Sequence, residues 1–600
     1  MPGSGALRVR RAQLKARRLF NRIPLRENQK LHVLTFLIGG TCGLAAVAFH
    51  WLLELLQNGV IYRAATAADP WRWPLLLAIP AVGGLVAGAG LHFYAPEARG
   101  SGIPQVKAAF LLQRGRIPAR VIPAKMLLPA INIGTGASLG REGPTVQICA
   151  AIASLLGRVF DVSHEGLRSL VPVGAAAGLA AAFNTPIAAV TFTLEEILGD
   201  TASKPLGSIV IASVIASVVE RSLLGEHPLF SVPNYRLNSL GELPFYLLLG
   251  LTAGVAAVAF NVSLLRLRAW FRSQRHVPAW ATPGVGGLAL GVLGIAGLSL
   301  TGSASVFGVG YAQLASTLQG ATPLRIMLLL GLLKLAATVV CYSSGSSGGI
   351  FGPSLYIGSM LGGIVGWAAA SLLGDAAASS GAFALVGMGA VFAGIVRAPI
   401  TSIVIIFEMT NNYSIILPLM AANITAYAVA RRLSPMPIYD ALLQQDGIRL
   451  PHNGEARLKQ VRASRAMTRR AVTLDATASV ADALARMAQE PRHQSYPLLD
   501  AQSQLVGMLD AGEIARARDA GQLERRLAEL TLRPANHVYP DQELDAVLVQ
   551  LGRAGASSLP VVRRRDPRRL LGVISSGDIA KAVARAADAG ETDTPISPRG

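Results

Sequence analysis

The feature that most limits what this chain can fold into is a long series of apolar spans interrupted by glycine and proline. Such spans recur near residues 31–56, 74–94, 166–194, 206–219, 245–264, 281–300, 326–341, 354–373, 382–407 and 415–430. Many are shorter or more broken than the ~20 residues a simple helical crossing of a bilayer needs. Irregular backbone facing hydrocarbon would strand its N–H and C=O groups, so the breaks must be packed in protein or line a cavity. Composition excludes an ordinary soluble globule, because 52% of the 600 residues are hydrophobic and only 15% are charged. The charge is also uneven: residues 1–440 carry 32 basic and 16 acidic side chains, whereas the much shorter 441–600 carries 23 and 19. A membrane block followed by a water-soluble tail is expected.

The net charge of +20 would suit a nucleic-acid binder, but its placement points elsewhere and no nucleic-acid partner is expected. Residues 1–30 hold nine Lys or Arg against the single acid Glu27, directly before the first apolar span. By the positive-inside rule this predicts a cytoplasmic N-terminus. The span itself runs too long for a cleaved signal, so it is read as retained. Arg outnumbers Lys 47 to 8, a composition of GC-rich bacteria, which predicts a bacterial inner membrane with N-terminus and tail in the cytoplasm. Cys42, Cys149 and Cys341 lie in apolar stretches without CxxC spacing, and the nine histidines lack metal-ligand spacing. No metal site or disulfide framework is expected.

The membrane block repeats internally. Val173, Gly174, Pro186, Ile187 and Glu195 fall on Val386, Gly387, Pro399, Ile400 and Glu408 at a constant offset of 213, and Gly143-Pro144 matches Gly352-Pro353 at 209. Two related halves with breaks in matching places are the mark of a transporter with its ion site at the repeat interface. Three motifs share one design: GSGIP (100–104), GREGP (140–144) and GGIFGP (348–353). Each sets glycines before a proline suited to the first turn of a helix. Helix N-termini offer unsatisfied N–H groups and positive dipole ends, so three of them converging would hold an anion without a full charge to trap it. The alternative is that the glycines serve close helix packing alone.

GSGIP, GREGPTVQ and GGIFGP, in this order and spacing, resemble the chloride channel and chloride/proton exchanger (CLC) family over roughly residues 30–443. The resemblance implies an all-α polytopic fold of two inverted repeats of tilted and broken helices, assembled as a homodimer in a lipid bilayer. It implies chloride and protons as substrates and no required cofactor. Ser101 is implied as the hydroxyl donor to a central chloride, with Tyr439 in PIYDALL as its phenolic partner. The amides of Ile350 and Phe351 would complete that site, and those around Arg141, Glu142, Gly143 and Gly349 would form an outer one. Glu142 is implied as the gate and outer proton acceptor; the alternative for its carboxylate is an ion pair with Arg141. Glu195 recurs as Glu408 and is read as a helix contact both halves need. Glu196 falls on Met409, so the repeated scaffold does not demand it, and it matches the family's inner proton glutamate. That favours antiport over a passive chloride channel.

The tail repeats too, and resembles tandem cystathionine beta-synthase (CBS) domains, a first near 460–518 and a second near 527–587, giving an α/β segment. Such pairs often bind adenosine nucleotides; Ser575 to Asp578 fits the ribose-holding stretch, whereas the first copy has Asp510 and Glu513 there. The expected division is a basic segment 1–30, a membrane domain 31–443 with halves about 31–221 and 240–443, and a tail 444–600. A rival reading is an intramembrane serine protease, since Gly136-Ala137-Ser138-Leu139-Gly140 matches GxSxG. It lacks a base within reach: between His92 and His227 the only histidine is His164, in a polar connector, and no later span holds one.

Overall fold

The computed structural model describes residues 27–448 and 461–588, apart from 69, 200–205, 226–229, 231, 234, 236–239, 275, 375–378, 411, 490–492 and 533–535. The basic residues before Glu27 lie outside the described residues. The chain divides into two compact units at Leu450/Pro451.

The first unit is helical. In chain order its helices are α1 (Glu27–Leu56), α2 (Arg72–Phe93), α3 (Ile103–Leu111), α4 (Val121–Gly134), α5 (Glu142–Val159), α6 (His164–Phe183), α7 (Pro186–Phe192), α8 (Leu206–Leu224) and α9 (Leu243–Ser273). There follow α10 (Thr282–Thr301), α11 (Tyr311–Leu318), α12 (Leu324–Ser343), α13 (Phe351–Leu373), α14 (Ser380–Val396), α15 (Pro399–Thr410), α16 (Ile416–Leu433) and α17 (Ile438–Gln445). Among the described residues, nine helical stretches are long and apolar enough to cross a membrane.

Two expected spans, 166–194 and 382–407, are each broken in two, and the break has a local cause. α6 ends on Asn184 at φ 57° and α14 on Arg397 at φ 68°, both left-handed. A left-handed residue ends the helix, one non-helical residue follows, and a proline at the first helical position starts the next. α4 and α5 were absent from the expected spans. α5 carries Thr145, Gln147, Ser154 and Arg158, yet 13 of its 18 residues are buried. A helix surrounded by protein need not be uniformly apolar, so hydropathy misses it.

The two halves are inverted. Glu195, just beyond α7, accepts from the first amides of α15, Ile400 N–H at 3.1 Å and Thr401 N–H at 2.8 Å. Glu408, near the end of α15, accepts from Ile187 N–H at 3.0 Å and Ala188 N–H at 2.7 Å at the start of α7. Each helix end caps the other's beginning, which requires α7 and α15 to lie antiparallel about a two-fold axis across them. Glycine packing operates outside the motifs as well: α13 and α14 meet at Gly358, Gly362 and Gly387, where a side chain would strike the facing backbone.

The second unit contains β1 (Leu474–Asp475), α18 (Val480–Gln489), β2 (Ser495–Leu499), β3 (Leu505–Asp510) and α19 (Ala511–Asp519), then α20 (Leu544–Ala554), β4 (Ser558–Arg563), β5 (Asp566–Ser575) and α21 (Ser576–Asp588). β1 pairs parallel to β2 and β2 antiparallel to β3; β4 pairs antiparallel to β5. The two cores exchange their lead-in segments. Val461 and Ala463 pack with Val538, Leu544 and Ile574, whereas Leu527 and Leu530 pack with Leu474, Val480 and Leu509. The stretch 461–467, assigned from sequence to the first repeat, thus sits in the second core.

Candidate anion and proton site

The site is built where the two broken loops meet. Gly140 N–H donates to Gly349 O and Gly349 N–H to Gly140 O, both at 2.7 Å. These residues are 209 apart, the offset of the repeat. α5 and α13 start directly after them, so the first-turn amides of both helices have no intrahelical carbonyl and converge. Ile350 and Phe351 lie at the start of α13, and Glu142 and Gly143 at the start of α5. The Gly349 amide corrects the sequence expectation. Its hydrogen is spent on Gly140, so Gly349 shapes the loop and offers no free N–H to an anion.

α3 starts after Gly100 and Gly102, at φ 74° and 103°. A side chain on Gly143 would come within 2.5 Å of Ser101 O and 2.7 Å of Ser101 Oγ, so only glycine lets α5 approach this loop. Lys125 ties the loop down from α4, donating to Ala98 O at 2.9 Å, Gly100 O at 2.6 Å and Ser347 Oγ at 3.2 Å. Ser101 Oγ and Tyr439 OH are fully buried neighbours within reach of each other, and neither finds a partner of good hydrogen-bond geometry among the described residues. Buried hydroxyls without partners are costly by about 1–3 kcal/mol each. Two such donors beside free amides form a neutral cradle for an anion. A cavity of about 560 Å³ reaches Gly100 of this loop; Arg99, Arg268, Arg272 and Tyr342 line it together with Glu97 and Asp446, and Asp446 pairs with Arg268 and Arg272.

Glu142 is fully buried. Gly352 N–H, in the first turn of α13, donates to its Oε2 at 3.2 Å, and Tyr311 OH donates to its Oε1 at 2.5 Å. The carboxylate therefore sits at a helix N-terminus, in the position an anion would take. Arg141 is engaged elsewhere: its guanidinium bonds to His50 Nδ1 and to Ala182 O at 3.4 Å.

Glu196, 5% exposed, lies beyond α7 on the same turn as Glu195. The pair divides as the repeat suggests, Glu195 capping α15 and Glu196 facing another way. Lys107 of α3 donates to Glu196 Oε1 at 2.9 Å and to Asp440 Oδ1 at 2.7 Å. Asp440 follows Tyr439 on α17 and its side chain is 30% exposed. A chain of charged groups thus joins a buried carboxylate to a solvent-reached one. Lys107, Asp440, Lys125 and Tyr311 were not singled out from sequence. The lysines had a signal: an ionisable residue within apolar sequence deserves a role by default. Lys125 has a counterpart 209 residues on, Lys334, which holds Ser305 O, Val306 O and Gly308 O.

The GxSxG serine is no nucleophile, because buried Ser138 Oγ pairs with Thr338 Oγ1 at 3.1 Å. In the tail, both Asp578 oxygens are occupied: Ser575 N–H and Oγ donate to Oδ2 at 2.9 and 2.7 Å, and Thr468 Oγ1 to Oδ1 at 3.2 Å. Ser479 and Asp482 make the same arrangement at the start of α18, where no ribose was expected. The Ser-x-x-Asp stretch is thus a helix-capping box in both places.

Comparison with known proteins agrees with this architecture. Residues 83–431 match the family described as voltage gated chloride channel, and residues 460–520 and 527–585 each match the CBS domain. The H(+)/Cl(-) exchange transporter ClcA of Salmonella arizonae is 34% identical over 440 residues, 72% of this chain and 92% of the relative. A slow cyanobacterial Cl-/H+ antiporter of solved structure has a TM-score of 0.63 at 29% identity, covering 69% of this chain and 97% of its own. A eukaryotic CLC transporter, at 20% identity and a TM-score of 0.60, covers 92% of this chain and 98% of its own, a likeness of fold. The two inverted halves, the paired glycine loops and these matches together make the chain an integral membrane member of the voltage gated chloride channel (CLC) family with two CBS domains in its tail.

Proposed function

We propose that this chain exchanges chloride for protons, with Glu142 as the gate and outer proton acceptor and Glu196 as the inner relay. One observation carries the reading: the Glu142 carboxylate accepts from the first turn of α13, so it competes with chloride for one place and leaves it on protonation. Chloride would be held at the centre by Ser101, Tyr439 and the amides of Ile350 and Phe351. The amides of Arg141, Glu142 and Gly143 would hold it on the outer side. A proton crossing apolar protein needs a titratable relay, since a bare charge there is costly. Buried Glu196, tied through Lys107 to Asp440, supports antiport over a passive channel. The relatives named as Cl-/H+ exchangers support chloride as the anion.

The proposed division is a membrane domain over 31–443 and a tail over 444–600, with a homodimer in a bacterial inner membrane and the tail in the cytoplasm, on the family resemblance and the basic N-terminus. For the tail, the CBS matches support an adenosine nucleotide as ligand. Because Asp578 caps α21, calorimetry on the wild-type full-length protein with millimolar ATP is the test, and absence of binding rejects it. The exchange mechanism is tested with Glu142→Gln. A side chain that cannot titrate should leave chloride flux running in liposomes and end proton coupling; normal proton-driven chloride uptake would refute the gate.

A further inference from the structure

The loop that precedes α11 is the second half's counterpart of the Ser101 loop. Gly100-Ser101-Gly102-Ile103-Pro104-Gln105 aligns with Gly308-Val309-Gly310-Tyr311-Ala312-Gln313 at an offset of 208. Both glycine pairs have positive φ, 74° and 103° against 59° and 83°. Both loops are tied by a buried lysine, Lys125 to Ala98 and Gly100 and Lys334 to Ser305, Val306 and Gly308. Two structural copies of one device therefore face the site, yet they carry different chemistry. Val309 stands where the first loop has Ser101, so the second copy has no hydroxyl for the central anion. Its hydroxyl comes two residues later, from Tyr311, and goes to the gate.

We propose that Tyr311 is a positioning residue that latches the Glu142 carboxylate in its docked state and so sets the proton concentration at which the gate opens. The claim rests on the gating role proposed for Glu142. The latch is built rather than incidental. Gly310 at φ 83° places Tyr311 as the first residue of α11. Its ring is held edge-on by Phe230 at 5.6 Å between centroids, and the Arg141 guanidinium lies 5.9 Å from its centre. The phenol then reaches Glu142 Oε1 at 2.5 Å while Gly352 N–H holds Oε2. Both carboxylate oxygens are thus held by donors, and the phenol favours the docked carboxylate over the released one. The other charged or titratable groups facing this cluster are Arg141 on α5's own start, His50 of α1 with Glu54 beside it, Glu220 of α8 and Tyr439 of α17. None of these donates to Glu142 among the described hydrogen bonds; Tyr311 and Gly352 do.

The test is Tyr311→Phe, which keeps the ring and its packing and removes only the hydroxyl. Purified full-length protein in liposomes is assayed for chloride turnover across a series of pH values set equally on both sides. Losing one hydrogen bond to a carboxylate should move the pH of half-maximal turnover upward by about one unit. In a Glu142→Gln background the same substitution should leave the pH profile unchanged, because there is no carboxylate to latch. A Tyr311→Phe profile that superimposes on wild type, while Glu142→Gln does uncouple protons, overturns the latch and leaves the gate standing. An equal shift in the Glu142→Gln background also overturns it, since the phenol would then act through another group. Proton coupling that survives Glu142→Gln removes the gate itself, and the latch with it.

Discussion

At the residue scale, the proposed site gives an anion neutral donors and reserves full charges for protons. Ser101 and Tyr439 are buried hydroxyls without a partner of good hydrogen-bond geometry among the described residues, and a hydroxyl donor to a charged group is worth about 1.5–3 kcal/mol. Ser101→Ala should therefore weaken chloride binding roughly tenfold or more in calorimetric titration; unchanged affinity would move the central site elsewhere. Lys107 is the reverse case, a cation with its side chain only 14% exposed, shared by Glu196 and Asp440. Removing one member of a buried ion pair leaves its partner's charge uncompensated. Lys107→Met should lower proton flux several-fold while chloride continues, read by a pH electrode and isotopic chloride on the same vesicles. Glu142, Glu196, Ser101 and Tyr439 were picked out in the sequence because a family motif or broken repeat symmetry marked them, and their roles stay proposals. Lys107 and Asp440 were not, since 333 residues separate them and only the packing of α17 against α3 joins them.

At the element scale, the repeated glutamates explain why short helices can end inside a membrane. Glu195 and Glu408 each satisfy the first amides of the opposite half's helix, which would otherwise be stranded without water. The sequence foresaw a shared structural role for them from recurrence alone; their reciprocity needed coordinates, because an offset of 213 does not say which helix end meets which. Glu408→Ala should lower thermal stability in detergent by about 1–2 kcal/mol, the range for a lost cap, with the proton-to-chloride ratio of surviving protein unchanged. A changed ratio would assign Glu408 to the proton route. The tail followed a similar course. Its two α/β repeats were readable from internal repetition and the CBS resemblance, but the exchange of lead-in segments was not, because those segments are too short to carry a pattern. Asp578, read as a ribose ligand, is seen to cap α21; one Ser-x-x-Asp spelling can serve both purposes.

At the scale of the whole molecule, inversion turns one sequence device into two sides of a transport cycle. The loops at Gly140 and Gly349 pair across the two-fold relation, bringing the starts of α5 and α13 together. Glu142 lies on that junction, while Glu196 stands apart on the turn after α7, beside Lys107 and Asp440. In the proposed assignment an anion site of neutral donors lies between two titratable carboxylates, which coupled exchange requires and a passive pore does not. The most direct test imposes a chloride gradient on liposomes holding the purified full-length protein, with no pH difference, and records proton movement alongside chloride flux. The account predicts that wild type drives protons opposite to chloride, against the pH difference that builds up, and that Glu196→Gln passes chloride with no proton movement. Chloride flux without protons in wild type, or normal proton pumping by Glu196→Gln, would contradict it.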